Sequence, residues 1–152
     1  MDRRTRICLW VIVIGLANFV AYTISYMVIG GDAPNGRVAA QTVGSHLERY
    51  YFLGPSGAES KVSQGVWVYS AIHSISVWLT VAAVMLAMLT LAKDRIVSSM
   101  RSTVMRGRTF ITILATLITF ITVVITIYFV IQTIRKLSHP ELLPAAMAWM
   151  YS

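Results

Sequence analysis

Tyr69, His73, Ser76 and Thr80 stand four, three and four residues apart in an otherwise apolar stretch, so on a helix their side chains share one face. An imidazole among phenol and hydroxyl groups can pass a proton, ligate a metal ion or simply hold a hydrogen bond. No other apolar segment carries a charged or imidazole side chain well inside it. Lipid does not solvate such a group, so His73 must face protein or water. A second stripe, Val11, Gly15, Asn18, Tyr22 and Ser25, follows spacings of four, three, four and three. It gives the first apolar segment a small, polar face suited to close helix packing. The expected site is a polar intramembrane cluster in which Asn18, Tyr22 and Ser25 meet Tyr69, His73, Ser76 and Thr80 across antiparallel helices, under a lid formed by the loop around Tyr50 to Phe52. A structural histidine bonded to Asn18, Tyr22 or the loop is the simpler reading, and protonation or metal chemistry is the rival one.

The metal reading uses His46, His73 and His139, all expected toward one face of the membrane together with Asp32, Glu48, Glu59 and Glu141. Histidines with a carboxylate suit zinc or copper. The residues are far apart in sequence and follow no ligand spacing, so chance placement explains them as well. A haem between spans needs a second histidine at depth, which the chain lacks. No glycine-rich phosphate loop, nucleophile elbow, His-Glu-x-x-His or Cys-x-x-Cys motif is present. The expectation is a protein without catalytic residues or a cofactor. Cys8, the single cysteine, is read as structural, with lipidation as the unsupported alternative.

The elements that must position these residues are apolar helices. Hydrophobic residues make up 57% of the 152-residue chain and charged ones 12%, the composition of an integral membrane protein. A hydrocarbon core of about 30 Å needs about 20 helical residues, and three runs qualify: 7–29, 66–92 and 110–134. Their length without strict alternation excludes barrel strands. The fold class is therefore an all-α integral membrane protein with one membrane domain over 1–152: three transmembrane helices, an outer loop (30–65), a basic inner loop (93–109) and a tail (135–152). The first run is too long for a signal h-region and is read as a retained helix.

Arg3, Arg4 and Arg6 precede the first run, and Lys93, Arg95, Arg101, Arg106 and Arg108 lie between the second and third. This is the distribution the positive-inside rule gives for cytoplasmic segments, so the N-terminus is expected inside and the C-terminus outside. The formal charge of +7 is thus explained by flanks of membrane spans, and a nucleic-acid role is set aside. The inner loop keeps a helical pattern that Gly107 is expected to end, and it would rest on anionic lipid.

In the outer loop, Asp32, Pro34 and Asn35-Gly36 read as a tight turn, with positive φ tolerated at the last pair. Residues 48–62 read as a short hairpin around Gly54-Pro55-Ser56-Gly57, and Tyr50, Tyr51, Phe52, Trp67 and Tyr69 as an aromatic belt. In the third run Thr112, Thr119, Thr126 and Thr133 recur every seven residues, and Thr109 and Thr116 do so beside them, with Thr122 between. Such rows form a packing seam of small β-branched side chains, marked above all by Thr112, Thr116, Thr119 and Thr126. Ser138-x-x-Glu141 reads as the start of a C-terminal interfacial helix anchored by Trp149 and Tyr151.

Gly31-Asp32-Ala33, Asn35-Gly36, Tyr50-Tyr51, Val62-Ser63 and the stretch Val66 to His73 together resemble a pattern found in small uncharacterised bacterial inner-membrane proteins. The resemblance covers residues 30–75. It implies a bacterial inner-membrane location and transfers no activity or catalytic residue. The function expected from the whole is a small membrane subunit or accessory protein that acts through helix contacts and its outer loop, with another membrane protein or further copies of itself as partner. The alternative is an oligomeric transporter or metal-handling protein built around His73.

Overall fold

The computed structural model describes residues 2–43, 46–54, 59–99 and 107–142. Among them the chain forms three helices, α1 (Arg3–Ile29), α2 (Gln64–Ser99) and α3 (Gly107–Ser138), and four strands, β1 (Asp32–Val43), β2 (His46–Gly54), β3 (Ser60–Val62) and β4 (Glu141–Leu142). All three helices are long and apolar enough to cross a membrane. The all-α expectation is corrected by a four-stranded sheet of order β3-β2-β1-β4. The loop hairpin exists as the antiparallel β2–β3 pair, Tyr51 opposite Val62 and Leu53 opposite Ser60. It is the smaller part of the sheet, whose longest pairing joins β1 to β2 from Arg37 opposite Phe52 to Val43 opposite His46.

The strand that the sequence hid is β1, because its first residues carry turn chemistry. Between Asp32 opposite Gly54 and Arg37 opposite Phe52, β1 advances five residues while β2 advances two, so Ala33 to Gly36 form an outsized bulge. Asp32 Oδ1 holds it by accepting the Asn35 backbone N–H at 3.2 Å and its Nδ2 at 2.8 Å. The positive φ angles fall at Gly30 (79°) and Gly31 (140°), and among the described residues Asn35 and Gly36 have none. Gly30 and Gly31 both donate to Tyr26 O, at 3.1 and 3.0 Å, which ends α1 through a left-handed glycine cap.

Other boundaries follow from single residues. Ser63 caps α2: its Oγ accepts the Val66 N–H at 3.4 Å, the N-cap to N3 bond. Gly107 does not end an inner helix but opens α3. It is buried, and a Cβ there would lie 2.8 Å from the Val97 Cα, so only glycine allows that approach. α2 runs continuously through Lys93 and Arg95 to Ser99, and the remainder of the expected inner helix, 100–106, lies outside the described residues. The helix expected from Ser138 is not formed there: α3 extends through Ser138, and Glu141–Leu142 pairs in parallel with Ala39–Ala40. The rest of the expected tail helix, with Trp149 and Tyr151, lies outside the described residues.

The chain divides into two compact units, Met1–Ala21 with Ser76–Ile127 and Tyr22–Ile75 with Tyr128–Ser152. In the first, α1 and α2 run antiparallel. Arg4 Nη2 donates to Thr90 O at 3.3 Å, and Gly15, buried, faces Thr80 and Val84 so closely that any side chain would collide with the Val84 methyl. Among the described residues of this unit, Cys8, Ala82, Ala87, Leu89 and Ile118 are also buried. In the second unit, Ala33, Val38, Tyr51 and Leu53 from the sheet pack with Trp67 and Ala71 of α2. Trp67 and Tyr51 are thereby buried, at 0% and 7% exposure, and Phe52, at 1%, is buried in a separate cluster with Ala39 and Tyr50, rather than these rings forming an aromatic belt. Burying the inner side of the sheet on small residues of α2 outweighs placing these rings among headgroups.

Candidate functional site

In the first unit, Asn18 Nδ2 reaches Ser76 Oγ at 3.3 Å and Thr80 Oγ1 at 3.0 Å. Thr80 Oγ1 donates in turn to the carbonyls of Ser76 and Val77, each at 3.0 Å. A polar amide inside an apolar helix thus finds two acceptors on its neighbour, as the lack of water in a bilayer requires.

In the second unit, the ends of α1 and α2 carry the rest of the polar cluster. His73 Nδ1 lies 3.1 Å from Tyr69 Oη, and Tyr69 Oη is 3.5 Å from Ser25 Oγ. The Tyr22 and Tyr69 rings both stand edge-on to the imidazole, at 5.5 and 5.4 Å between centroids. Tyr22 donates its hydroxyl to Asp32 Oδ2 at 3.0 Å, so Asp32, 7% exposed, has both carboxylate oxygens bonded. Ser70 Oγ accepts the Ala33 N–H at 3.1 Å, and Ser74 donates to Ser70 O at 2.8 Å. All seven residues expected in the cluster are therefore in helix-facing positions, but they fall into an amide pair in one unit and an aromatic, carboxylate-linked group in the other.

The space within the second group decides what it can do. Tyr22, Ser25, Tyr26, Ile29, Gly31, Tyr69, Ser70 and His73 enclose a cavity of about 10 Å³, room for a single water. No organic substrate fits. Tyr51 packs against Trp67, with centroids 6.1 Å apart, and residues 50–52 do not line this cavity. The expected lid therefore covers Trp67 instead of His73.

The three histidines are not gathered either. His46 opens β2 opposite Val43, His73 is on α2, and His139 follows α3, its N–H bonded to Arg135 O at 2.9 Å. Among the described residues no three His, Cys, Asp or Glu side chains come together in a way that could hold a metal ion. The histidine triad is thus corrected: sheet pairing and helix placement keep its members on separate elements.

Two features went unread in the sequence. Lys136 Nζ donates to three carbonyls of the bulge, Ala33 O at 3.3 Å, Pro34 O at 2.6 Å and Gly36 O at 2.7 Å. All three ammonium protons are used. A lysine two residues beyond an apolar run signals only a membrane boundary, and nothing local marks a clamp on residues a hundred positions away. Arg37 is the second, bonded to Glu59 at 2.8 Å and Glu141 at 3.4 Å and stacked on Phe52 at 5.3 Å. On the sheet, Lys61 stands over Tyr50 at 4.7 Å. The Tyr50 hydroxyl donates to Glu48 at 2.8 Å, a bond that with slight desolvation raises the phenol above its ordinary pKa.

The threonines of α3 divide. Thr109, Thr112, Thr116 and Thr119 are exposed, whereas Thr122, Thr126 and Thr133 are half-buried. Thr112 and Thr119 donate to Arg108 O at 3.0 Å and Ala115 O at 2.9 Å, back-bonds that let a hydroxyl face lipid or a neighbouring helix. The Thr126 hydroxyl is buried with no hydrogen-bond partner among the described residues.

Fold and site together define a class: a three-helix protein suited to crossing a membrane, with a small sheet and a polar helix contact that is internally satisfied. No protein-family model, curated protein or solved structure matches the chain.

Proposed function

We propose that the chain is a non-enzymatic subunit or accessory protein of a bacterial inner membrane, N-terminus in the cytoplasm, which binds another membrane protein through the exposed threonine face of α3. The observation that carries this reading is the division of its polar residues. Those of α1 and α2 meet each other, while Thr109, Thr112, Thr116 and Thr119 remain exposed on a helix where only Gly107 and Ile118 are buried. Small β-branched residues at heptad spacing let a second helix approach closely. The transporter or metal-handling alternative has less support, because the cavity beside His73 admits one water and the histidines stay apart. Lys93 and Arg95 at the end of α2 add attraction to an anionic cytoplasmic leaflet.

The test is native mass spectrometry of the chain extracted gently in detergent, beside a Thr112→Phe/Thr116→Phe variant. The expected result is a co-purifying membrane chain lost in the variant. A lone monomer in both samples would rule the subunit reading out, and a homo-oligomer that persists in the variant would move the contact elsewhere.

A further inference from the structure

Gln132, Arg135, Lys136 and His139 recur at three, four and seven residues along the end of α3 and line an open groove of about 410 Å³. Their charges are not equally engaged. Lys136 is saturated by the bulge carbonyls, and Glu141, the nearest carboxylate in sequence, is taken by Arg37. The side chains of Gln132, Arg135 and His139 have no hydrogen-bond or ion-pair partner among the described residues. The negative end of the α3 dipole offsets part of one cation, which leaves a net positive groove with a free guanidinium fork, an amide and an imidazole. These are the donors that hold a phosphate oxygen pair.

The position selects the source of that phosphate. The apolar run 110–134 spans about 37 Å as a helix, more than a core of about 30 Å, so Arg135 stands in the headgroup layer if α3 crosses a bilayer. Directly before it on the helix, Tyr128, Ile131 and Ile134 are 61%, 51% and 56% exposed. Apolar side chains followed by basic ones match an acyl chain followed by its headgroup. We infer that this groove binds an anionic phospholipid, Arg135 holding the phosphate with Gln132 and His139 beside it, and Lys136 adding charge but no free donor. The inference rests on the membrane reading of α3, not on a protein partner at the threonine face.

The full chain is reconstituted into nanodiscs containing equal phosphatidylcholine and phosphatidylglycerol, and the lipids it retains are counted by native mass spectrometry. Wild type should retain phosphatidylglycerol preferentially. Arg135→Gln should lower that preference about fivefold, the effect of one basic residue near a membrane surface, and Arg135→Glu should lower it further. Lys93→Gln/Arg95→Gln should leave the Arg135-dependent part unchanged. Arg135 is exposed, and flotation of each variant with vesicles confirms insertion. Equal retention in wild type and Arg135→Glu overturns the lipid site alone. Displacement of the lipid by inorganic phosphate overturns it in favour of a free anion, and a co-purifying protein cross-linked at Gln132 overturns it in favour of a protein partner. Failure of the wild type to float removes the membrane reading and the lipid site together.

Discussion

At the scale of single residues, the imidazole of His73 bonds Tyr69 Oη at 3.1 Å, stands edge-on to the Tyr22 and Tyr69 rings, and borders a cavity too small for a substrate. An amide supplies the same donor and acceptor pair. His73→Gln should therefore leave thermal stability in detergent within about 0.6 kcal/mol of wild type, the average of an interhelical hydrogen bond in a membrane. A larger loss would mean that the ring itself carries packing or charge. Lys136 should behave differently. Lys136→Met removes three donors at once and leaves bulge carbonyls unpaired, at a cost of roughly 1–3 kcal/mol. Hydrogen exchange should quicken at Asn35 and Gly36 while Asn18 and Thr80 are unaffected, and unchanged protection at the bulge would show that the clamp is dispensable. The polar stripes were legible because helical spacing alone puts Asn18 with Tyr22 and Ser25 on one face of α1, and Ser76 with His73 and Thr80 on one face of α2. Lys136 was not, since its partners are brought to it by the sheet.

At the scale of elements, the three helices were legible from apolar length alone, and each extends past its apolar run, α2 furthest, from 92 to Ser99. The sheet was not, because β1 begins with Asp32, Pro34, Asn35 and Gly36, which local chemistry assigns to a turn, and because β4 is a two-residue strand joined from far along the chain. Within that sheet Gly36 has a specific task. A Cβ there would collide with the Phe52 carbonyl and come within 3.0 Å of the Leu53 Cα, both backbone atoms that cannot swing aside. Gly36→Ala should cost roughly 1–3 kcal/mol, as overpacking does, and expose the amides of the β1–β2 pairing to exchange. Gly65→Ala is the control, with nothing within 4 Å of the added methyl, and should be neutral or slightly stabilising in a helix. Equal melting temperatures for the two variants would contradict the close approach.

At the scale of the whole molecule, the proposed orientation rests on where the basic residues lie along a chain with three helices long and apolar enough to cross a membrane. Arg3, Arg4 and Arg6 lie in the first turn of α1, and Lys93, Arg95, Arg101, Arg106 and Arg108 between the second and third apolar runs, against Arg37, Arg49, Lys61, Arg135 and Lys136 on the opposite segments. Eight against five favours the first group as cytoplasmic, because the rule counts Lys and Arg near span ends. Lys61 and Ser99 are exposed and suit single-cysteine labelling in a Cys8→Ala background, Cys8 being buried. In intact spheroplasts a membrane-impermeant maleimide should label Lys61→Cys and spare Ser99→Cys, which should react only after the membrane is opened. The reverse pattern would place the sheet in the cytoplasm, and labelling of both sites before permeabilisation would mean that α2 does not cross.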